Sequence, residues 1–113
     1  MKQIILTKVT NEEIQVMQEQ IYKYSETLRW SLKTYDVEEF LNAITAIDLS
    51  YRLWYTFRKR VEGNQLRNTI RLKVSDAAVL LKCFMWPGEG RNEFEKNVAL
   101  KYKGIIDHQL KSI

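Results

Sequence analysis

The chain has 113 residues, 45% hydrophobic and 28% charged, with one proline and four glycines. This is the composition of one globular domain with its own core; it is too short for two ordinary domains and too apolar for a disordered chain. The net charge of +4 is unevenly placed: residues 1–50 hold five Lys/Arg against eight Asp/Glu, residues 51–113 hold thirteen against six, which points to an anionic partner for the second half or to attraction between halves within an assembly.

Residues 3–9, QIILTKV, are β-branched and aliphatic and predict a short strand. Thr10 and Glu13 have the spacing of a capping box. The helix they open carries Ile14, Met17, Ile21, Tyr24, Leu28 and Tyr35 on one stripe. Asp36, with Glu39 three residues on, caps a second helix expected to run to about Val61. One face of it bears Phe40, Ile44, Ile47, Tyr51, Trp54 and Tyr55, and another bears Ala46, Leu49, Leu53 and Phe57. A helix apolar on two sides is expected to be central and covered on both, so the aromatics of YRLWYTFRKRV, residues 51–61, belong to a core. Arg58 lies near the end of the Phe40–Tyr51 face, placed to snorkel or pair.

Gly63 is placed for a left-handed helix cap. In LRNTIRLKV, residues 66–74, Leu66, Ile70, Leu72 and Val74 alternate with Arg67, Thr69, Arg71 and Lys73. That period of two predicts a half-buried strand with a basic outer face, paired with residues 3–9. Ser75-Asp76 starts a third helix, AAVLLKCFMW, apolar nearly all round. PGEG, residues 87–90, is a turn, and Asn92 with Glu95 caps the last helix, whose faces carry Phe94, Val98, Tyr102 and Ile105, then Ala99, Ile106 and Leu110. Gly104 inside this helix is expected to mark a close helix contact. The expected fold is mainly α (α+β): a compact bundle of four helices with a two-stranded β-ribbon, in the order β-α-α-β-α-α. It forms a single domain over 1–113, with sub-units 1–62 and 63–113.

No catalytic, cofactor or metal site is readable. The lone histidine, His108, reads as a surface helix residue. The lone cysteine, Cys83, sits among apolar neighbours and reads as a buried, inert thiol in a reducing, cytoplasmic setting. The paired carboxylates Glu12/Glu13 and Glu38/Glu39 fall at helix starts, where the helix dipole accounts for them. MKQIILTKV has only three consecutive apolar residues, so no signal peptide is expected, and no apolar run approaches a membrane span. PGEGR, residues 87–91, lacks the Gly-Lys-Ser/Thr ending of a phosphate loop and reads as a helix–helix turn.

Two functional expectations follow. The first is a non-enzymatic protein-interaction or assembly module, a small accessory, structural or regulatory protein, with Trp30 and Trp86 as interface aromatics and a protein partner or a second copy as its target. The second is nucleic-acid binding. Basic strand, capped helix, Gly-containing turn and capped helix, with GRNEF at residues 90–94 opening the last helix, resemble the ribbon-helix-helix family of DNA-binding dimers. The resemblance implies base or phosphate contacts from Arg67, Thr69, Arg71 and Lys73, and a backbone clamp from Arg91 and Asn92. Arg58, Lys59 and Arg60 extend the basic run. The same basic side chains would also serve simply to keep an outer strand face soluble.

Overall fold

The computed structural model describes residues 2–86 and 90–113. Strand β1 (Ile4–Val9) leads into helix α1 (Asn11–Ser31), and a 3-10 turn (Leu32–Thr34) into α2 (Val37–Glu62). Strand β2 (Asn68–Leu72), α3 (Val74–Met85) and α4 (Glu93–Leu110) follow. The result is the four-helix bundle with a two-stranded sheet that the sequence predicts, and the two strands run antiparallel.

Local chemistry sets the helix starts. The Thr10 hydroxyl accepts from the Glu13 amide at 3.1 Å while the Glu13 carboxylate accepts from the Thr10 amide at 3.0 Å. Asn92 and Glu95 repeat this reciprocal cap at 2.8 and 2.9 Å, and Asp36 accepts from the Glu39 amide at 2.8 Å. Each satisfies amides that a helix start leaves without partners. Helix α3 starts at Val74 with Lys73 at its cap position and no side-chain cap, so Ser75 and Asp76 lie inside its first turn.

In the sheet Ile4 faces Leu72, Ile5 faces Arg71 and Leu6 faces Ile70; the register then slips, so that Val9 faces Asn68, and Lys8 takes a positive φ of 54° at the slip. The expected alternation holds for Ile70 and Leu72 inside and for Thr69 and Arg71 outside. Leu66 departs from it. The strand begins two residues later, and Leu66 is 92% exposed. The buried position at the slip is filled by Asn68, whose amide donates to the Val9 carbonyl and to the Asn11 side chain, each at 3.2 Å.

One buried cluster draws on both parts of the chain: Leu6, Ile14, Phe57, Ile70, Leu80 and Tyr102 all belong to it. Helix α2 is not covered on two sides. Its Ala46, Leu49, Leu53 and Phe57 face is buried, but Phe40, Ile44, Tyr51 and Tyr55 are exposed. The reason is the side on which the other elements lie: α1 and α3 pack against α2 from the inner side, and the α4 and sheet residues join the same cluster. Two glycine expectations are also overturned. Gly63 is right-handed, with φ −66°, and the left-handed residue is Asn64. Gly104 has no heavy atom within 4 Å of where a Cβ would sit, so it marks no close contact.

Buried polar groups tie α4 to α1. Glu13 accepts from the Tyr102 hydroxyl at 2.8 Å and from Lys101 at 2.9 Å. Further along, Gln20 donates to Glu95 at 3.2 Å and accepts from Arg91 Nε at 2.6 Å, and Arg91 also donates to the Cys83 carbonyl at 3.0 Å.

Candidate interaction surfaces

Helices α1 and α2 form an antiparallel hairpin: Asn11 at the start of one bonds Asn64 just past the end of the other. Two small residues, Ser25 and Ser50, are buried where the helices meet, each hydroxyl turned back onto its own helix, to the Tyr22 and Ala46 carbonyls. Because these side chains are short, they floor a cleft of about 170 Å³ walled by Tyr22, Tyr51, Trp54 and Tyr55. Trp54 and Tyr55 meet edge to face with ring centroids 5.1 Å apart. Trp54 is thus half-buried on an open wall and is not enclosed in a core.

Two arginines border the cleft. Arg29 donates to the Tyr51 hydroxyl and lies 6.0 Å from that ring's centroid. Arg58 lies 5.3 Å from the Trp54 centroid and pairs with Glu62 at 2.9 Å. With these ring faces already serving guanidinium groups, the cleft disfavours a cationic guest and admits an apolar one. The apolar surface continues along α2 through Ile44, Leu41 and Phe40 to Val37, all exposed, and Trp30 at the end of α1 is 84% exposed. Val37, Phe40, Ile44, Ile47, Tyr51 and Trp54 alternate threes and fours, the spacing of a helix-packing seam, with Ile47 buried and Trp54 half-buried within the chain's own fold. Trp86 behaves differently from Trp30: it is partly buried, its ring 5.9 Å from that of Tyr24.

The basic residues divide by environment. Arg67, Thr69, Arg71 and Lys73 are all exposed, and among the described residues none of the three charged ones takes part in an ion pair. Lys59 and Arg60 are exposed on the last turn of α2. Arg91 is turned inward onto Gln20 and Cys83, so two of its donors are committed inside the fold, while Asn92 is spent on its cap. Of the turn at residues 87–91, Pro87, Gly88 and Glu89 lie outside the described residues. The resemblance to ribbon-helix-helix dimers implies that β2 pairs with a second copy; here β2 pairs on one side with β1 of its own chain.

Burial pushes the Cys83 thiol up to about 12, against a smaller opposing pull from Arg91, so it is a protonated thiol at neutral pH. Burial likewise raises the Tyr102 hydroxyl, with the Glu13 bond adding to it. For Glu13, burial is the largest single influence and acts upward, but the Thr10, Lys101 and Tyr102 bonds together outweigh it and hold the carboxyl below its ordinary value. His108 is exposed on α4. Among the described residues no three His, Cys, Asp or Glu side chains converge as metal ligands, and no helix is long and apolar enough to cross a membrane.

The outer face of α2 is what the sequence reading missed. The pattern of its stripe was visible; its exposure was not. The small pair Ser25 and Ser50, set among bulky neighbours, is the sequence signal for the cleft. Comparisons with protein-family models, with curated proteins and with solved structures found no match.

Proposed function

We propose that this chain is a non-enzymatic assembly module that self-associates through the outer face of its α1–α2 hairpin. The observation that carries the reading is the set of exposed large apolar side chains on α2, Val37, Phe40, Leu41 and Ile44 in its first half and Tyr51 and Tyr55 beside the aromatic cleft in its second. Contiguous exposed apolar surface of this kind marks contact sites, and aromatic and Arg side chains dominate their energetics.

Charge favours a second copy as the occupant. The first half of α2, Val37–Ser50, carries Glu38, Glu39 and Asp48 and no Lys or Arg. The second half carries Arg52, Arg58, Lys59 and Arg60 against Glu62 alone. Two copies of α2 packed antiparallel across a two-fold axis set each acidic half beside a basic half, with Phe40 and Ile44 of one chain near Tyr51 and Tyr55 of the other.

Light scattering on the purified chain tests this. The expected mass at tens of micromolar is twice the 13.5 kDa of one chain. Ile44→Glu, at an exposed position, returns it to monomer with an unchanged helical circular dichroism spectrum. A wild-type monomer at that concentration refutes self-association, and a dimer insensitive to Ile44→Glu refutes this face.

A further inference from the structure

The two outer edges of the sheet are treated differently. On β1, the side-chain amide of Gln109 donates to the Ile5 carbonyl at 2.7 Å and accepts from the Ile5 amide at 2.8 Å. A single glutamine from α4 thus occupies both backbone groups of Ile5 on that edge as a neighbouring strand would. These bonds also fix the direction of the ladder. Ile5 turns its amide groups away from β2 and stands opposite Arg71. In an antiparallel pair, residues directly opposite point their groups the same way relative to the pair, inward or outward. The Arg71 N–H and C=O therefore face out along the open side of β2, and no side chain of the described residues bonds them.

The outer face beside this edge is basic. Thr69 and Arg71 stand exposed on β2, about 6.6 Å apart, and Arg67 and Lys73 are exposed just beyond its two ends. The β1 residues on the same face, Gln3, Ile5 and Thr7, supply no carboxylate. A second copy of β2 is a poor occupant. Centred on Ile70, the pairing would set Arg67 directly opposite Lys73 of the other chain, and like charges across a ladder destabilise it. An acidic strand meets the reverse situation.

We infer that the open edge of β2 is a docking site for an extended acidic segment of another protein, which adds a third strand to the sheet. Its backbone bonds the Arg71 N–H and C=O, and its carboxylates, two residues apart, lie beside Arg71 and Lys73, with a further one beside Arg67. Main-chain bonds provide affinity in such strand addition and the alternating side chains provide selectivity. Nucleic acid offers the same negative charge without a strand's alternating donors and acceptors, so the outward Arg71 amide favours the peptide.

The test is fluorescence anisotropy on the full chain with three labelled probes. One is an eight-residue peptide alternating glutamate with valine, the second is the same peptide N-methylated at every backbone amide, and the third is a duplex DNA oligonucleotide. The first peptide is expected to bind, to shift the backbone amide signals of Thr69 and Arg71 in NMR spectra, and to weaken at least about tenfold with Arg71→Glu. The N-methylated peptide keeps the carboxylates, lacks every backbone donor and is expected not to bind. Equal binding of both peptides overturns strand addition in favour of plain charge attraction. DNA binding tighter than the first peptide, and lost in Arg71→Glu, assigns the face to nucleic acid and overturns the proposal. So does failure of the first peptide to bind. Ile44→Glu, on the outer face of α2, is expected to leave peptide binding unchanged, which separates this site from the self-association face.

Discussion

Replacing Tyr102 by Phe removes one oxygen from the centre of the molecule and leaves its packing in place. Tyr102 is fully buried, and its hydroxyl donates to Glu13 at 2.8 Å. A hydrogen bond to a charged group contributes roughly 1.5–3 kcal/mol. In the variant, Glu13 retains the Thr10 amide and Lys101, so no carboxylate oxygen is stripped of all partners. The loss therefore sits at the low end, about 1.5 kcal/mol. In urea this lowers the midpoint by about 1 M for a slope near 1.5 kcal/mol/M, with the slope unchanged. Glu13→Gln removes the charge but keeps an N3 residue able to complete the cap. Combining the two changes in a double-mutant cycle gives the coupling between residues 13 and 102, expected above about 0.5 kcal/mol. The pH dependence has a definite sign. The folded Glu13 carboxyl titrates below its unfolded value, so its contribution is fully present above about pH 4.3 and is lost as pH falls through the folded pKa. The stability gap between wild type and Glu13→Gln accordingly narrows on acidification. A Tyr102→Phe chain within about 0.5 kcal/mol of wild type, with no coupling to Glu13, would show that this contact does not hold α4 to α1.

Two glycines separate backbone strain from crowding. Gly90 has φ +79° with open space around its Cβ position, so Gly90→Ala lowers stability by about 1 kcal/mol, whereas Gly104→Ala, in a helix interior with equal space, raises it by up to about 1 kcal/mol; thermal melts that rank them the other way contradict this reading. Cys83, fully buried with its thiol pushed up to about 12, is expected to react with a disulfide reagent at pH 8 only as fast as the chain opens. Rapid labelling in the absence of denaturant would contradict that burial.

What the sequence made legible was local. Three helix starts are written in side chains three residues apart, at Thr10/Glu13, Asp36/Glu39 and Asn92/Glu95, and each forms as its chemistry requires. The alternation of Thr69, Ile70, Arg71 and Leu72 likewise names its own inside and outside. What stayed hidden was long-range. Glu13 reads as a capping residue, and its second role depends on Tyr102, 89 positions away. Gln109 reads as an ordinary polar position on the last helix until β1 lies beside it, 104 positions earlier. Asn68 interrupts the apolar alternation of its strand, and only the register slip opposite Val9 shows why a polar amide is needed there.

Helix α2 shows the limit of pattern most clearly. Its apolar residues span two faces, and periodicity reports that both are apolar without reporting how many neighbours exist to cover them. Here α1, α3, α4 and the sheet all contribute to one core, on the side of Leu53 and Phe57. The second face is left exposed at Phe40, Ile44, Tyr51 and Tyr55. That exposed face is the surface proposed above for self-association, where the acidic and basic halves of α2 would lie beside each other in an antiparallel copy. The sheet repeats the logic in hydrogen bonds: one edge is closed by Gln109, and the other keeps the Arg71 amide and carbonyl pointing outward beside unpaired positive charge. Both surfaces are proposed from the same kind of observation: apolar surface or backbone groups that the element's own chain leaves uncovered.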